Sequence, residues 1–332
     1  MKKIFVTGGA GFIGSHLIER LVKNGHHVKT IVPYNIENSW GWIDTFDKNI
    51  KKNIEVISGD ICDQSIVLKA VKKIEVLFHL AALISIPYSY ISPRSYVSTN
   101  VIGTLNLLEA IKNSSIESFV QTSTSEVYGS SQYLPINENH PLNAQSPYAA
   151  SKIAADQLCL SYYRSFNLPI VVIRPFNTFG PRQSLRAIIP TMILQVIKNN
   201  KNIKLGNLYT KRDFSYISDT VKGLECCIGN KKCIGEVINL GTGFDLSMEK
   251  TLKIIQQKLG KKLAVKVEKN RLRPKKSEVD QLVSSNMKAK KILGWKPKFS
   301  NLKGFKKGLE DTITWFKKDE NIKYYKSNMY NF

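Results

Sequence analysis

The sequence predicts an α/β protein with a doubly wound parallel sheet and a smaller, discontinuous C-terminal domain. Three features predict it: seven short apolar runs, amphipathic stretches of helical length between most of them, and a glycine-rich turn directly after the first run. The chain has 332 residues, of which 42% are hydrophobic, enough for one large and one small core. We therefore expect two structural units in one chain.

The predicted strands have the length and apolar character of buried parallel strands. In chain order they are KIFVTG, HVKTIV, IEVIS, EVLFHLA, SFVQTS, PIVVIRP and GEVINLG. Two long stretches with helical spacing, SYVSTNVIGTLNLLEAIKN and SPYAASKIAADQLCLSYYRSF, lie between later strands. The alternation predicts parallel pairing with helices on both faces of the sheet.

The predicted domain boundaries follow a change of pattern after Pro175, where loops and helices rich in Arg, Lys and Pro begin. The strand pattern returns near Val237 and then stops again. We expect a first domain at 1–176 with about 212–243, and a second at about 177–211 and 244–332. The cleft between them is the expected substrate site.

Composition excludes several classes of protein. No apolar run approaches the ~18 residues of a membrane span, and the short run after the first two lysines does not resemble a secretion signal, so we expect a cytoplasmic protein. The five cysteines and five histidines show no metal-binding spacing, which predicts free thiols and no metal. The net charge of +23 favours anionic partners, but no nucleic-acid-binding module is recognisable and the C-terminal lysines fit solvated helix faces.

The turn TGGAGFIGSHL follows the first strand and opens the first helix. Gly8, Gly11 and Gly14 permit a tight turn, close approach of the backbone to a pyrophosphate, and close packing of helix on strand, while the helix N-terminus attracts phosphate. This predicts a Rossmann-type domain that binds NAD(P)+.

The second strand ends without the acidic residue that usually binds the adenosine ribose. Asn35 is a candidate for a ribose hydroxyl, and no Arg or Lys lies between Pro33 and Asp44 to bind a 2′-phosphate. NAD and NADP both stay open, with a slight lean to NAD. Asp60, after the third strand, either contacts the adenine edge or is an ordinary turn residue.

Tyr148 and Lys152 are four residues apart in SPYAASK and therefore share one face of a helix. A nearby ammonium stabilises tyrosinate, so we expect it to bring the pKa of the phenol from about 10 toward neutrality. The fifth strand leads into the run TSTSEVYG, which places the carboxylate of Glu126 beside small hydroxyls. The two features together predict an active site.

These motifs resemble the extended short-chain dehydrogenases/reductases of the nucleotide-sugar epimerase/dehydratase type. The resemblance covers nearly the whole chain through TGGAGFIG, HLAA, TNVIGTLNLLEA, TSTSEVYG, YAASK, RPFNTFGPRQ, RDFSYISDT and KILGWKP. It implies that Thr124 hydrogen-bonds the sugar O4, Tyr148 takes its proton, and Lys152 holds the nicotinamide ribose. It also implies further cofactor contacts at Phe12, Ile13, Ile61, Leu80, Ala81, Ala82 and Asn100.

Glu126 distinguishes dehydration from simple epimerisation. Once C4 is a ketone the proton on C5 is acidic, so Glu126 can remove it, water leaves from C6, and the stored hydride returns to C6. Ser125 stands where dTDP-glucose dehydratases carry Asp, as in GDP-mannose dehydratases, so Glu126 would serve both steps. The Thr-Ser-Glu run also occurs in UDP-glucuronate decarboxylases, which leaves loss of water and loss of carbon dioxide both open.

Two stretches are similar to particular dehydratases. RLRPKKSEVDQLVSSNMKAKKILGW resembles the GDP-mannose 4,6-dehydratase pattern, and NSWGWID with FGPRQSLRAIIPT resembles the GDP-N-acetylglucosamine 4,6-dehydratases of legionaminic acid biosynthesis. The latter is the leading interpretation. It gives the substrate candidates Ser85, Asn177, Arg186, Arg212 and Arg273, with Arg271 or Arg182 as substitutes among the arginines.

Several alternatives stay open on sequence alone. They are a UDP-sugar 4,6-dehydratase, a C4 epimerase, a UDP-glucuronate decarboxylase and a regulator that binds NAD(P) without catalysis. The resemblance further implies a homodimer in which helices at 95–112 and 146–167 form a four-helix bundle. We expect no nucleic-acid or membrane partner.

Overall fold

The fold is seen in a computed structural model, which describes residues 1–199 and 201–326. Thirteen strands occur within that part of the chain. In chain order they are β1 Lys3–Thr7, β2 His27–Val32, β3 Ile54–Ser58, β4 Val76–His79, β5 Ser118–Thr122, β6 Ile170–Pro175, β7 Asn177–Phe179, β8 Asn202–Leu205, β9 Lys211–Tyr216, β10 Val237–Leu240, β11 Asp245–Ser247, β12 Ala264–Val267 and β13 Gln281–Leu282.

Thirteen α-helices occur in the same described ranges. They are α1 Phe12–Lys23, α2 Lys48–Lys51, α3 Gln64–Ala70, α4 Ile86–Ile91, α5 Pro93–Tyr96, α6 Gly103–Ile111, α7 Pro147–Phe166, α8 Ile188–Lys198, α9 Ile217–Glu225, α10 Met248–Leu259, α11 Met287–Leu293, α12 Leu302–Phe316 and α13 Asp319–Ile322. A π-helical segment, Val97–Ile102, joins α5 to α6, so the helix predicted around 95–112 is wound irregularly at its start.

The central sheet is parallel and has the strand order β10-β6-β5-β4-β1-β2-β3. All seven predicted runs form its strands, and the predicted doubly wound α/β fold is confirmed. Because the chain leaves β1 toward β2 on one side and returns to β4 on the other, the strand order reverses beside β1. Such a reversal opens a crevice at the carboxyl ends of the strands.

Helices cover both faces of this sheet because alternate strand residues point to opposite sides. Ile4 and Val6 pack into the core that includes α1 and α9, whereas Phe5 packs into the core of α3, α6 and α7. The strands β4, β5 and β6 are buried along their whole length. This explains their nearly continuous apolar sequence.

Helix α7 carries the YAASK motif and has clear end signals. Ser146 caps its start by accepting a hydrogen bond from the Ala149 amide at 3.1 Å, and Pro147 occupies the first turn. Asn167 ends it in the left-handed conformation, with φ +55°. The face toward the sheet is polar, since Tyr148, Lys152 and Asp156 are all buried there.

The smaller unit covers the carboxyl ends of the central strands. It contains a sheet with the order β11-β9-β13, in which β7 also pairs with β9, and a two-stranded sheet of β8 and β12. All of the strand β9 except its first residue lies in the stretch 212–243 that we assign to the first domain, yet β9 pairs in the second sheet, while β10 joins the first. The boundaries 1–176 with 212–243, and 177–211 with 244–332, stay a prediction.

In the described residues, no helix has both the length and the apolar character needed to cross a membrane.

Candidate active site

A cleft of about 920 Å³ lies between the carboxyl ends of the central strands and the smaller unit. The glycine-rich turn borders it, Tyr148 and Glu126 line it, and Arg212 and Arg273 line it from the smaller unit. It therefore contains the features that the sequence predicts as cofactor, catalytic and substrate sites.

The glycine-rich turn has the shape that a pyrophosphate requires. Gly8 has φ +73°, and a Cβ there would lie 2.8 Å from the amide nitrogen of Ala81. A Cβ on Gly14 would lie 2.2 Å from the carbonyl oxygen of Gly8. No side chain caps the start of α1 at Gly11, so the first amides of this helix face the cleft without a side-chain acceptor. The residues present thus fit a dinucleotide, with Phe12 and Ile13 among those lining the cleft.

The loop after β2 is stabilised by hydrogen bonds within the loop. Asn35 donates to the carbonyls of Pro33 and Ser39 at 3.0 and 2.9 Å, and its Oδ1 accepts from the Ser39 amide. The side chain of Asn35 is engaged within the loop and does not line the cleft. Trp42 donates its amide to the carbonyl of Ala10 at 3.1 Å, which ties the loop to the glycine-rich turn.

Asp60 and Ile61 both line the cleft near the expected adenosine position. Asp60 accepts a hydrogen bond from the Cys62 amide at 2.9 Å, as an ordinary turn residue does. Its position at the cleft is also compatible with a nucleotide contact, so the geometry accommodates both interpretations of this residue.

The segment after β4 brings Leu80, Ala81 and Ala82 to the cleft wall. Asn100 is buried behind them and does not line the cleft. Its side chain exchanges hydrogen bonds with the backbone of Leu83 at 2.8 and 2.9 Å and donates to Ser151 Oγ at 2.9 Å. Its observed contacts therefore position the cleft wall against α7.

Thr124 and Tyr148 both line the cleft, and the Thr124 hydroxyl is close enough to act on the Tyr148 phenol by partly opposing the rise in its pKa. Thr124 Oγ1 also accepts from the Glu126 amide at 3.2 Å, which begins a short 3₁₀ helix at Ser125–Tyr128. Ser125 is buried beside them. The hydroxyls predicted to bind one sugar oxygen are thus brought together.

The pKa of the Tyr148 phenol differs from the value that the sequence led us to expect. Burial raises the pKa of Tyr148 well above its usual value, with the nearby carboxylate of Glu126 adding to the rise. Lys152 donates to the carbonyl of Thr122 at 2.7 Å, and burial lowers the pKa of this ammonium. The two side chains share one helix face as predicted, but the predicted lowering of the phenol pKa is not seen in this arrangement.

The carboxylate of Glu126 is near two arginines of the smaller unit, Arg273 and Arg212. Its Oε2 is 3.6 Å from Nη1 of Arg273, and it opposes the lowering that burial imposes on the pKa of Arg212. The side chain of Glu126 is 13% exposed, so it still reaches the cleft. A carboxylate close to the Thr124 and Tyr148 hydroxyls can act as a proton acceptor or donor.

The other predicted substrate residues also line the cleft. Arg212 is buried, whereas Arg186 is exposed at the rim near Ser85. Oδ1 of Asn177 is buried and has no hydrogen-bond partner among the residues that the structure describes. Such an atom at a cleft wall fits contact with a polar ligand.

Two residues beneath the site were missed by the sequence interpretation. Asp156 accepts from Ser123 at 2.8 Å and from Arg174 at 3.1 Å, and its charge opposes the lowering of the Lys152 pKa. Tyr96 packs edge-on against Tyr148, with ring centroids 6.2 Å apart. The spacing 148, 152, 156 along one helix face was a signal that pointed to Asp156; Tyr96 left no comparable signal.

No group of three or more His, Cys, Asp or Glu side chains within residues 1–199 and 201–326 is placed to hold a metal ion.

Comparison with known proteins gives relatives named as nucleotide-sugar dehydratases and epimerases. The family model described as GDP-mannose 4,6 dehydratase matches residues 5–310. A dTDP-D-glucose 4,6-dehydratase of Mus musculus is 33% identical over 96% of this chain and 89% of its own length. A putative UDP-glucose 4-epimerase of Methanocaldococcus jannaschii is 32% identical over 95% of this chain and 98% of its own.

Solved structures of both kinds of enzyme share the fold. A UDP-glucuronic acid 4-epimerase of Bacillus cereus, solved with UDP-glucuronic acid and NAD, has a TM-score of 0.83 at 31% identity, covering 95% of this chain and 99% of that one. A dTDP-glucose 4,6-dehydratase of Bacillus anthracis, solved with NAD, has a TM-score of 0.83 at 27% identity, covering 98% and 99%. The overall fold does not separate the two reactions.

Proposed function

The chain belongs to the GDP-mannose 4,6-dehydratase family of NAD-dependent epimerases and dehydratases, and from this premise we propose that it is a nucleotide-sugar 4,6-dehydratase. Its proposed substrate is a GDP-hexose, with GDP-N-acetylglucosamine as the leading candidate. Its product is the corresponding 4-keto-6-deoxy sugar nucleotide. The assignment of GDP and of the acetamido sugar rests on the sequence resemblance of NSWGWID and FGPRQSLRAIIPT.

The observation that carries this proposal is the position of Glu126. The cleft brings its carboxylate close to the Thr124 and Tyr148 hydroxyls, and it stays partly accessible. An enzyme that only oxidises and reduces C4 needs the two hydroxyls and the lysine. A dehydratase needs one further base, because a proton must leave C5.

The cofactor in this proposal is a nicotinamide dinucleotide held by the glycine-rich turn, the residues after β4, Tyr148 and Lys152. The chemistry that it supplies when bound is reversible storage of one hydride. The absence of Arg and Lys from the loop between Pro33 and Asp44 supports the lean to NAD. Release of the bound nucleotide by acid, followed by chromatography against NAD and NADP, decides between them.

The protein's own side chains carry the proton transfers in this mechanism. Thr124 and Tyr148 bind the sugar O4, and Tyr148 accepts its proton as C4 becomes a ketone. This step requires the tyrosinate, which burial disfavours in the site as described above, so we propose it for the site with cofactor and substrate bound. Glu126 then takes the proton from C5 and delivers it to the departing C6 hydroxyl, because Ser125 has no acidic proton to give. C5 regains one proton when the hydride is returned to C6, and the proton that Tyr148 took from O4 balances it. One water is lost, and no external reductant is consumed.

Arg212 and Arg273 are the proposed contacts for the diphosphate, with Asn177 beside them. Guanidinium groups match phosphate oxygens in pairs, and both arginines line the cleft on the smaller unit. Arg186 and Ser85 lie at the other rim and are proposed to contact the sugar.

C4 epimerisation is the second candidate. The relatives named as epimerases match over as much of the chain, and at similar identity, as those named as dehydratases. Epimerisation uses the same Thr124, Tyr148 and Lys152 but leaves Glu126 without a role. That unused carboxylate is why dehydration is preferred.

The test is mass spectrometry of purified protein incubated separately with GDP-N-acetylglucosamine, UDP-N-acetylglucosamine, GDP-mannose and UDP-glucuronate, without added reductant. Loss of one water from a GDP-sugar is the expected result, with Tyr148→Phe as the inactive control. Loss of water from a UDP-sugar alone would correct the nucleotide. Loss of carbon dioxide from UDP-glucuronate would replace dehydration by decarboxylation, and unchanged mass in every sample would contradict the proposal.

The proposal includes a cytoplasmic homodimer with no nucleic-acid or membrane partner. The exposed apolar residues Val97 and Ile102, on the helical segment between α5 and α6, support the dimer.

A further inference from the structure

Arg273 has two carboxylate neighbours and no good hydrogen bond from one of its nitrogens. Its Nη1 lies 3.6 Å from Glu126 and 3.9 Å from Glu278. Both distances exceed those of N–H···O hydrogen bonds. Among the residues that the structure describes, this buried Nη1 has no hydrogen-bond partner. The guanidinium is therefore held by charge while part of its donor capacity is unused.

The surroundings of Arg273 are close to charge balance. Arg212 is buried next to it; burial is the main cause of the lowered pKa of Arg212, and the nearby charge of Arg273 adds to that lowering. Glu126 and Glu278 act on the two arginines in the opposite sense. A diphosphate that enters this cluster brings additional negative charge. One of the carboxylates must then lose its ion pair with a guanidinium.

We propose that Glu126 and the diphosphate of the substrate compete for Arg273. Without substrate, Arg273 pairs with Glu126; when the diphosphate binds, Arg273 transfers to it and leaves Glu126 free to accept a proton. We expect the phosphate to bind Arg273 more strongly than Glu126 does. Phosphate oxygens can form paired hydrogen bonds with the guanidinium, whereas Nη1 of Arg273 is too far from both carboxylates for a hydrogen bond.

The transfer of Arg273 from Glu126 to the diphosphate would make substrate binding precede proton transfer. The base becomes available only when a nucleotide is in place, which links recognition of the diphosphate to proton transfer at the far end of the sugar. The role of Glu126 as base rests on the proposed function. The contact of Arg273 with the diphosphate is also taken from the proposed function, but the competition concerns binding and is measured without turnover.

The test is calorimetric titration with GDP and, separately, UDP as probes, using wild type, Glu126→Gln, Arg273→Gln and the double variant. Removing an active-site contact ordinarily weakens binding or leaves it unchanged. Here Glu126→Gln is expected to bind the preferred nucleoside diphosphate more tightly, by roughly 3–10-fold, since Arg273 no longer has to leave a partner. Arg273→Gln is expected to bind at least about tenfold more weakly.

The double variant identifies the cause. In the Arg273→Gln background, Glu126→Gln should change affinity by less than about twofold, because the competitor and its target are coupled. Equal tightening in both backgrounds would overturn the proposal, as would unchanged or weaker binding by Glu126→Gln. If wild type binds neither GDP nor UDP, the phosphate half of the proposal is wrong.

The matched control is Glu249→Gln, which removes one negative charge from an exposed carboxylate paired with Lys253 at 2.6 Å. It should leave the affinity within about twofold of wild type, because an exposed charge is screened. Tightening equal to that of Glu126→Gln would assign the effect to net charge and overturn the proposal. If no sugar loses water but the coupling is found, the proposed function fails while the competition stands.

Discussion

Glu126 lies where a short 3₁₀ helix begins directly after the central strand β5. Thr124 accepts from its amide, and two arginines of the smaller unit face its carboxylate. The backbone of Glu126 is thus held by the central-sheet domain, and its carboxylate interacts with arginines of the smaller unit. In the proposed mechanism this is the only carboxylate that serves C5.

Replacing Glu126 by Gln should separate the two halves of the reaction. We expect release of water to fall by at least about 100-fold, because the amide cannot accept the C5 proton. C4 oxidation should persist, since Thr124, Tyr148 and Lys152 are unchanged. The measurements are product mass and reduced-nicotinamide absorbance in a single turnover, and a variant that dehydrates at the wild-type rate would remove Glu126 from the mechanism.

At the residue scale, the sequence predicted which side chains share a helix face but not their hydrogen bonds or pKa values. A separation of four residues correctly placed Tyr148 and Lys152 on one buried helix face. It did not predict that Lys152 would bond to Thr122, nor that burial would raise the pKa of Tyr148. Those outcomes depend on the depth of α7 in the protein, and local spacing does not encode depth.

The glycine-rich turn is the element whose shape is most tightly set by its residues. Gly14→Ala would place a Cβ 2.2 Å from the Gly8 carbonyl oxygen, so the turn must open. We expect the affinity for the nicotinamide dinucleotide to fall by at least about tenfold, or about 1.4 kcal/mol. Titration of cofactor-stripped protein measures this directly.

Gly25→Ala is the matched control for that variant. Gly25 also has a positive φ, of +82°, but nothing lies within 4 Å of a Cβ built on it. The change should lower stability through backbone strain, by about 1 kcal/mol, and leave cofactor affinity unaltered. Equal loss of affinity in both variants would show that the turn shape is not the cause.

Elements and their order were predictable because each depends on a local pattern. The seven apolar runs became the seven strands of the central sheet, and α7 begins and ends near its cap residues. The pairing of β9 with the second sheet was not predictable, since strand partners are chosen in three dimensions. The contact of Arg273 with Glu126 joins distant parts of the chain, and the contact of Asp156 with Arg174 joins α7 to β6, so local patterns did not predict either.

At the scale of the whole molecule, the buried histidine His16 predicts how stability changes with pH. Burial, with the nearby Arg182, lowers the pKa of His16 to about 4, whereas an unfolded histidine titrates near 6.5. Between these values the unfolded chain binds a proton that the folded one does not. Stability therefore falls as the pH falls through this window, by about 2 kcal/mol at pH 5 from this residue.

Urea denaturation at pH 7.5 and pH 5 tests that linkage. His16→Gln should lose less stability than wild type on acidification, because glutamine does not titrate and can still donate to the Pro181 carbonyl, which His16 Nε2 contacts at 3.0 Å. An identical loss in both proteins would show that His16 is protonated in the folded state.

Assembly is the second prediction at this scale. Ile102 is 43% exposed on the helical segment before α6, within the range 95–112 proposed for the four-helix bundle. Light scattering should give twice the 37.5 kDa of one chain for wild type, and one chain for Ile102→Lys. Leu68→Lys, on α3, alters an equally exposed apolar residue and should stay dimeric. A monomeric wild type would contradict the prediction.

The most direct test of the central claim is to follow the hydrogen on C4. GDP-N-acetylglucosamine, the leading candidate substrate, is prepared with deuterium at C4 and incubated with the enzyme, and the product is examined by mass spectrometry and NMR. A dehydratase that stores the hydride and returns it predicts loss of one water and deuterium in the new C6 methyl group. Deuterium retained at C4 in a product of unchanged mass would contradict dehydration and establish an epimerase.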